Sequence, residues 1–201
     1  MKLDLRIVLV AVVAALAGAG ASVFFDPTIA TRLASTEPGQ KLLGAILKAK
    51  APAPPKGVIV AERGDIVPDM TLANVSGTAT RIPDAWLGKS TLVNLWATWC
   101  APCLKEMPDL QAFADEQGPN GVHVMGIALD DPAAVRAFLQ QHRITYPSLV
   151  DAPGPADAGV RLVNPAGVLP YTILVSAEGR LLKTKIGPFN DKQAIAAWAT
   201  P

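Results

Sequence analysis

Cys100 and Cys103 are the only cysteines in a chain of 201 residues, and they stand three apart where an apolar run gives way to a helical pattern. The run, Thr91-Leu92-Val93-Asn94-Leu95-Trp96, has strand length and little alternation, which predicts a strand buried on both faces. Ala101 to Glu116 then reads as a helix. Residues three apart in a first helical turn share a face, so the two sulfurs can reach bonding distance without moving the backbone. Cys100 falls at the positive end of that helix, where unpaired N–H groups favour a thiolate, the attacking species in disulfide exchange. Cys103, one turn deeper, is placed to resolve. Pro102 lacks an N–H at a position where none is needed and stiffens the turn.

The surroundings alternate between the two periodicities. Asp69 to Val75 reads as a strand ending at the turn Ser76-Gly77, and Pro83 to Leu87 as a single helical turn. Gly121 to Ala128 is a second central strand, and Asp131-Pro132 supplies an acidic N-cap and a first-turn proline for a helix running to His142. Tyr171 to Ser176 and Arg180 to Ile186, on either side of Ala177-Glu178-Gly179, read as a hairpin, followed by a last helix from Asp191 to Trp198. A strand–helix–strand unit beside a hairpin predicts an α/β fold: a mixed central sheet with helices on both faces.

The N-terminal part has a different character. Ile7 to Phe25 is an uncharged run of nineteen residues, close to the ~20 needed to span a bilayer as a helix. Lys2 and Arg6 precede it, which favours a cytoplasmic N-terminus and export of the rest. A cleaved signal peptide is the competing reading, with Ala17-Gly18-Ala19 or Ala19-Gly20-Ala21 as the cleavage site; Val23-Phe24-Phe25 carries the apolar run beyond it and favours a retained anchor. Both readings export the domain. Residues 26–56 read as a linker: Leu42, Leu43, Ile46 and Leu47 have helical spacing, and Ala51-Pro52-Ala53-Pro54-Pro55 enforces an extended stretch. The expected organisation is a membrane helix at 1–25, a Pro/Ala-rich linker at 26–56 and one catalytic domain at 57–201. Lys plus Arg is 18 and Asp plus Glu 17, a net charge of +1 that excludes an electrostatic nucleic-acid binder.

Plainer readings of the cysteine pair carry less. A purely structural disulfide closing so short a loop constrains the unfolded chain by only ~2 kcal/mol. A zinc site needs about four ligands, and the soft donors left are His123 and His142, without the local spacing of a zinc motif. Two inert thiols fit poorly with an exported, oxidising setting. A Cu(I)-binding chaperone, with Cys100 and Cys103 as soft ligands, stays open as the alternative, unsupported by a third cysteine or a methionine cluster.

The segment Asn94-Leu95-Trp96-Ala97-Thr98-Trp99-Cys100-Ala101-Pro102-Cys103-Leu104-Lys105-Glu106-Met107-Pro108 resembles the active-site stretch of the thioredoxin superfamily, specifically the membrane-anchored TlpA/ResA/CcmG-like thiol-disulfide oxidoreductases. Val67-Pro68-Asp69-Met70-Thr71-Leu72 resembles that family's opening strand, and Leu169-Pro170-Tyr171-Thr172 its cis-proline loop. The resemblance covers roughly residues 57–201. It implies a thioredoxin-like fold, Cys100 as nucleophile, Cys103 as resolving thiol and a cis Pro170, with Leu169 presenting backbone groups to a bound peptide, Trp99 shielding the disulfide and Pro108 kinking the helix. Glu106 matches an acidic residue near the thiols in this branch and becomes the candidate for proton handling, because Asn94 stands where ordinary thioredoxin has an aspartate; a solvated helix glutamate is the plainer reading. A peroxidase is disfavoured, since Thr98 precedes Cys100 by two residues and not by the three of the peroxiredoxin pattern. The function so implied is reduction of disulfides in exported proteins from the periplasmic face of a bacterial inner membrane, by a monomer held there by a single span. Its clients would belong to cytochrome c maturation or copper-centre assembly of cytochrome oxidase. A membrane thiol transporter of the DsbD/CcdA type would supply electrons, and no cofactor or metal is expected.

Overall fold

The computed structural model describes residues 36–200. The expected membrane helix at 1–25 and the start of the linker lie outside the described residues, among which no helix is long and apolar enough to cross a membrane. The chain divides into two units, residues 1–46 and 47–201. Helix α1, Glu37–Lys50, begins in the first and has no buried residue. Its Leu42 and Ile46, spaced as the sequence suggested, are exposed.

In the second unit a seven-stranded sheet runs in the order β2-β1-β5-β4-β3-β6-β7. The strands are β1 Met70–Asn74, β2 Ala79–Ile82, β3 Thr91–Trp96, β4 His123–Leu129, β5 Ser148–Asp151, β6 Tyr171–Val175 and β7 Leu181–Ile186. Between and after them lie α2 Ala101–Glu116, α3 Pro132–His142, α4 Ala158–Arg161 and α5 Lys192–Trp198. β3, β4 and β5 are mutually parallel, while β6 runs antiparallel to β3 and β7 to β6. All six residues of β3 are buried, as its apolar run requires of a strand with neighbours on both edges and layers on both faces.

The two faces are covered unequally. Leu92 and Trp96 of β3 pack with Met107, Leu110 and Phe113 of α2, Val135 and Leu139 of α3 and Ile195 of α5. Val93 and Leu95 face the other way, toward Trp86, Ala158 and Leu162. The crossovers β3-α2-β4 and β4-α3-β5 step across the sheet in one direction, and two right-handed connections stepping the same way place both helices on the same face. The opposite face is closed by the one-turn α4, a 3-10 turn at Asp84–Trp86 and the stretch holding Ala61 and Val67. The expected helices on both faces are therefore three on one, and one-turn α4 with a 3-10 turn on the other.

Sequence reading missed β2, β5 and α4, each only four residues long. Four residues hold neither a helical period nor a convincing alternation. β5 also follows directly on Pro147, which reads as a loop.

Candidate active site

Cys100 is the N-cap of α2 and Cys103 lies in its first turn, with Pro102 between them. The two sulfurs are bonded, 1.98 Å apart, across Cα atoms 5.3 Å apart. Cys103 is wholly enclosed and Cys100 retains 4% exposure, so the less enclosed residue of the pair is the one at the helix terminus. Ala101 and Pro102 are exposed, and Trp99 stands out at 68%. The loop before Cys100 is anchored from the end of β4: the N–H and Oγ1 of Thr98 donate to Asp130 Oδ2 at 2.8 and 2.5 Å. Burial pushes the Asp130 carboxyl up, but these bonds and one from the Asp131 N–H outweigh it and hold the group below its ordinary value.

The second wall of the site comes from β6. Leu95 pairs with Tyr171, so the residues ahead of Tyr171 sit at the sheet end from which β3 runs into the cysteines. The Leu169–Pro170 peptide bond there is cis, as is Ile82–Pro83 elsewhere. Pro170 is buried and Leu169 half-buried. Asn164 ties the approach to this loop, its Nδ2 donating to the Val168 carbonyl at 2.8 Å and its Oδ1 accepting from the Val168 N–H at 3.0 Å.

Behind the disulfide lies a buried polar group of residues. Glu106, one turn beyond Cys103 on the same helix face, is only 2% exposed, which removes the reading as a solvated glutamate. Its Oε1 accepts from Asn94 Nδ2 at 2.9 Å and its Oε2 from the Phe189 N–H at 2.8 Å. Asn94 Nδ2 also donates to Thr172 Oγ1 at 3.1 Å, while Asn94 Oδ1 has no partner. Burial pushes the Glu106 carboxyl up to about 7 against the pull of the Phe189 N–H, the Asn94 amide and the Lys185 charge, and Asp109 adds to the rise. A carboxyl poised there is half-ionised near neutral pH, suited to exchanging a proton with a neighbouring thiol.

The structure thus brings Cys100, Cys103 and Glu106 onto one helix and sets Leu169 and Pro170 at the same end of the sheet, with Trp99 facing solvent. Sequence reasoning singled out Glu106 but not its partner Phe189, nor the bond from Asn94 to Thr172, nor Lys185 and Asp130. One signal was available: an asparagine inside an apolar strand must find a buried partner. The Phe189 contribution is a backbone N–H and leaves no trace in side-chain pattern.

A family model described as the AhpC/TSA family matches residues 63–184. The chain belongs to that family. Among relatives, sporulation thiol-disulfide oxidoreductase A of Bacillus subtilis strain 168 is 28% identical over 137 residues, covering 66% of this chain and 79% of the relative. Thiol-disulfide oxidoreductase ResA of Geobacillus thermodenitrificans strain NG80-2 is 29% identical over 127 residues, covering 62% and 69%. A solved secreted thiol-disulfide isomerase from Corynebacterium glutamicum superposes with a TM-score of 0.58 at 27% identity, covering 74% of this chain and 94% of that one. The fold is thioredoxin-like, and with the joined Cys100–Cys103 pair this AhpC/TSA member is a thiol-disulfide oxidoreductase of the ResA type.

Proposed function

We propose that this oxidoreductase works as a reductant: Cys100 attacks a disulfide in an exported protein, Cys103 resolves the adduct, and Glu106 manages the proton of Cys103. In the reduced enzyme the Cys100 thiolate attacks one sulfur of the client disulfide. The client's other sulfur leaves as a thiolate and takes up a proton. Cys103 gives its proton to Glu106 and attacks the Cys100 sulfur, forming the Cys100–Cys103 bond and releasing the second client sulfur as a thiolate, which takes up a proton in turn. Two electrons pass to the client, and a dithiol donor must return them. Trp99 and the backbone of Leu169, beside cis Pro170, hold the client segment across the disulfide.

The observation that carries this reading is the asymmetry of the pair. Cys100, at the helix terminus, is the less enclosed residue, and Cys103 is wholly enclosed, on the face that leads to the buried carboxyl of Glu106. The nineteen-residue apolar run at Ile7–Phe25 with Lys2 and Arg6 before it supports a single-span anchor in a bacterial inner membrane, with the monomeric catalytic domain on the periplasmic side. Clients are then apocytochrome c thiols or cysteines of a copper centre in a respiratory oxidase, and a DsbD/CcdA-type transporter returns the electrons. Cys103→Ser tests the assignment: it is expected to accumulate a client on Cys100 that dithiothreitol releases, and the client's identity chooses between haem and copper routes. Adducts forming equally on Cys100→Ser would contradict the role of Cys100.

A further inference from the structure

The three residues after β7 touch both halves of the site. The Gly187 N–H donates to the carbonyl of cis Pro170 at 2.9 Å, and two positions on the Phe189 N–H donates to Glu106 at 2.8 Å. Gly187 has φ +83°, a left-handed conformation that suits glycine and lets the chain turn back between these two contacts. One short turn therefore joins the proline loop to the buried carboxylate.

Lys185 closes that turn. Its Nζ donates to the carbonyls of Gly187 at 2.9 Å and Pro188 at 2.7 Å, and it lies 4.7 Å from the centroid of the Phe189 ring. Its place follows from the sheet: Lys185 pairs with Thr172 across β7 and β6, and Thr172 with Asn94 across β6 and β3. Lys185, Thr172 and Asn94 thus form one cross-strand row, and the carboxylate of Glu106 is held from two points of it. Asn94 reaches it directly, and Lys185 reaches it through the turn. An ammonium half-buried among backbone carbonyls is costly unless it serves those carbonyls.

We infer that Lys185 is a positioning residue for the thiol chemistry: its ammonium shapes the Gly187–Phe189 turn so that one N–H meets the Pro170 carbonyl and the other meets Glu106. The inference rests on the reading of Glu106 as the proton acceptor, and it goes beyond it by naming what holds that acceptor and what ties it to the proline loop. The charges acting on Glu106 are Lys185 from β7 and Asp109 from its own helix, with the Tyr146 phenol ahead of β5 as a further titratable neighbour. Loss of the lysine charge and loosening of the Phe189 N–H both favour the protonated acid, so they move the Glu106 midpoint in the same direction.

The test uses the oxidised full chain, in which no thiol titrates, with 13C-labelled glutamate carboxyls followed by NMR; the Glu106 signal is the one missing in Glu106→Gln. Lys185→Met is expected to raise the Glu106 midpoint by about half a pH unit or more, and to shift the Phe189 amide resonance. Lys185→Arg, which keeps charge and donors, is expected to leave both near wild type. The pH profile of kcat/KM for insulin reduction is expected to move with the midpoint. An unchanged midpoint in Lys185→Met, or an equal shift in Lys185→Arg, overturns the inference. Because the titration is read without turnover, it stands apart from the proposed function: a normal shift in a protein that reduces no disulfide would fault the activity and leave the positioning role intact.

Discussion

The front of the site and its back are built on opposite principles. At the front, Trp99, Ala101 and Pro102 face solvent around a disulfide in which Cys100 keeps 4% residue exposure and Cys103 none. At the back, Asn94, Glu106 and Thr172 are polar and buried, and the Asn94 amide donates to both of the others. Burying an ionisable group is costly unless its protonation state adapts or its oxygens find donors. Glu106 does both, with two donors and a carboxyl moved to about 7. The front presents a reactive bond to another protein, and the back holds a carboxyl that, in the proposed mechanism, stores and releases a proton.

Disturbing the back is expected to have the larger effect. Glu106→Gln leaves both cysteines in place but removes the proton acceptor, so the rate of disulfide reduction near neutral pH falls by about tenfold or more, and the inflection near the Glu106 midpoint disappears from the pH profile. Stopped-flow oxidation of the reduced enzyme across pH reads both. Stability carries the same signature. Because the folded carboxyl ionises at about 7 instead of 4.5, it is neutral in both states at low pH, and its stabilising preference for the neutral form is lost as pH rises through the folded value. Relative to Glu106→Gln, the wild type should therefore lose up to ~3 kcal/mol between about pH 4 and about pH 8. Urea unfolding at the two ends of that range measures it. Parallel stability profiles in the wild type and Glu106→Gln would mean that the back of the site is not built as described.

Disturbing the front should be gentler. Trp99→Ala removes an exposed ring, so thermal stability is expected to change by less than about 0.5 kcal/mol, while KM for a protein disulfide rises several-fold and kcat is nearly kept. A fall in kcat with unchanged KM would place Trp99 in the chemistry and not in client binding.

The same contrast decides what could be read from the chain itself. β3 and α2 are found at the residues where the apolar run and the helical pattern place them, Thr91–Trp96 and Ala101–Glu116, because each is long enough to show its period. The cysteines declare themselves through spacing and position. Glu106 was visible as a candidate but its environment was not, since Asn94 meets Thr172 across 78 positions and Glu106 meets Phe189 across 83. Contacts of that range depend on strand order, and the strand completing the parallel set, β5, is too short to be read from its own residues. Lys185 was invisible for a further reason: in sequence it is one of several cations on a half-exposed hairpin, and its role appears only once the chain has turned back over it.

The most direct test of the account is a single turnover counted by its thiols. Reduced protein is mixed with disulfide-bonded insulin, quenched in acid and alkylated. Each newly formed Cys100–Cys103 bond is expected to appear together with two free insulin thiols, and Cys100→Ser is expected to yield neither. Insulin thiols appearing without the Cys100–Cys103 bond, or a reduced pair that never transfers its electrons to insulin, would contradict the account.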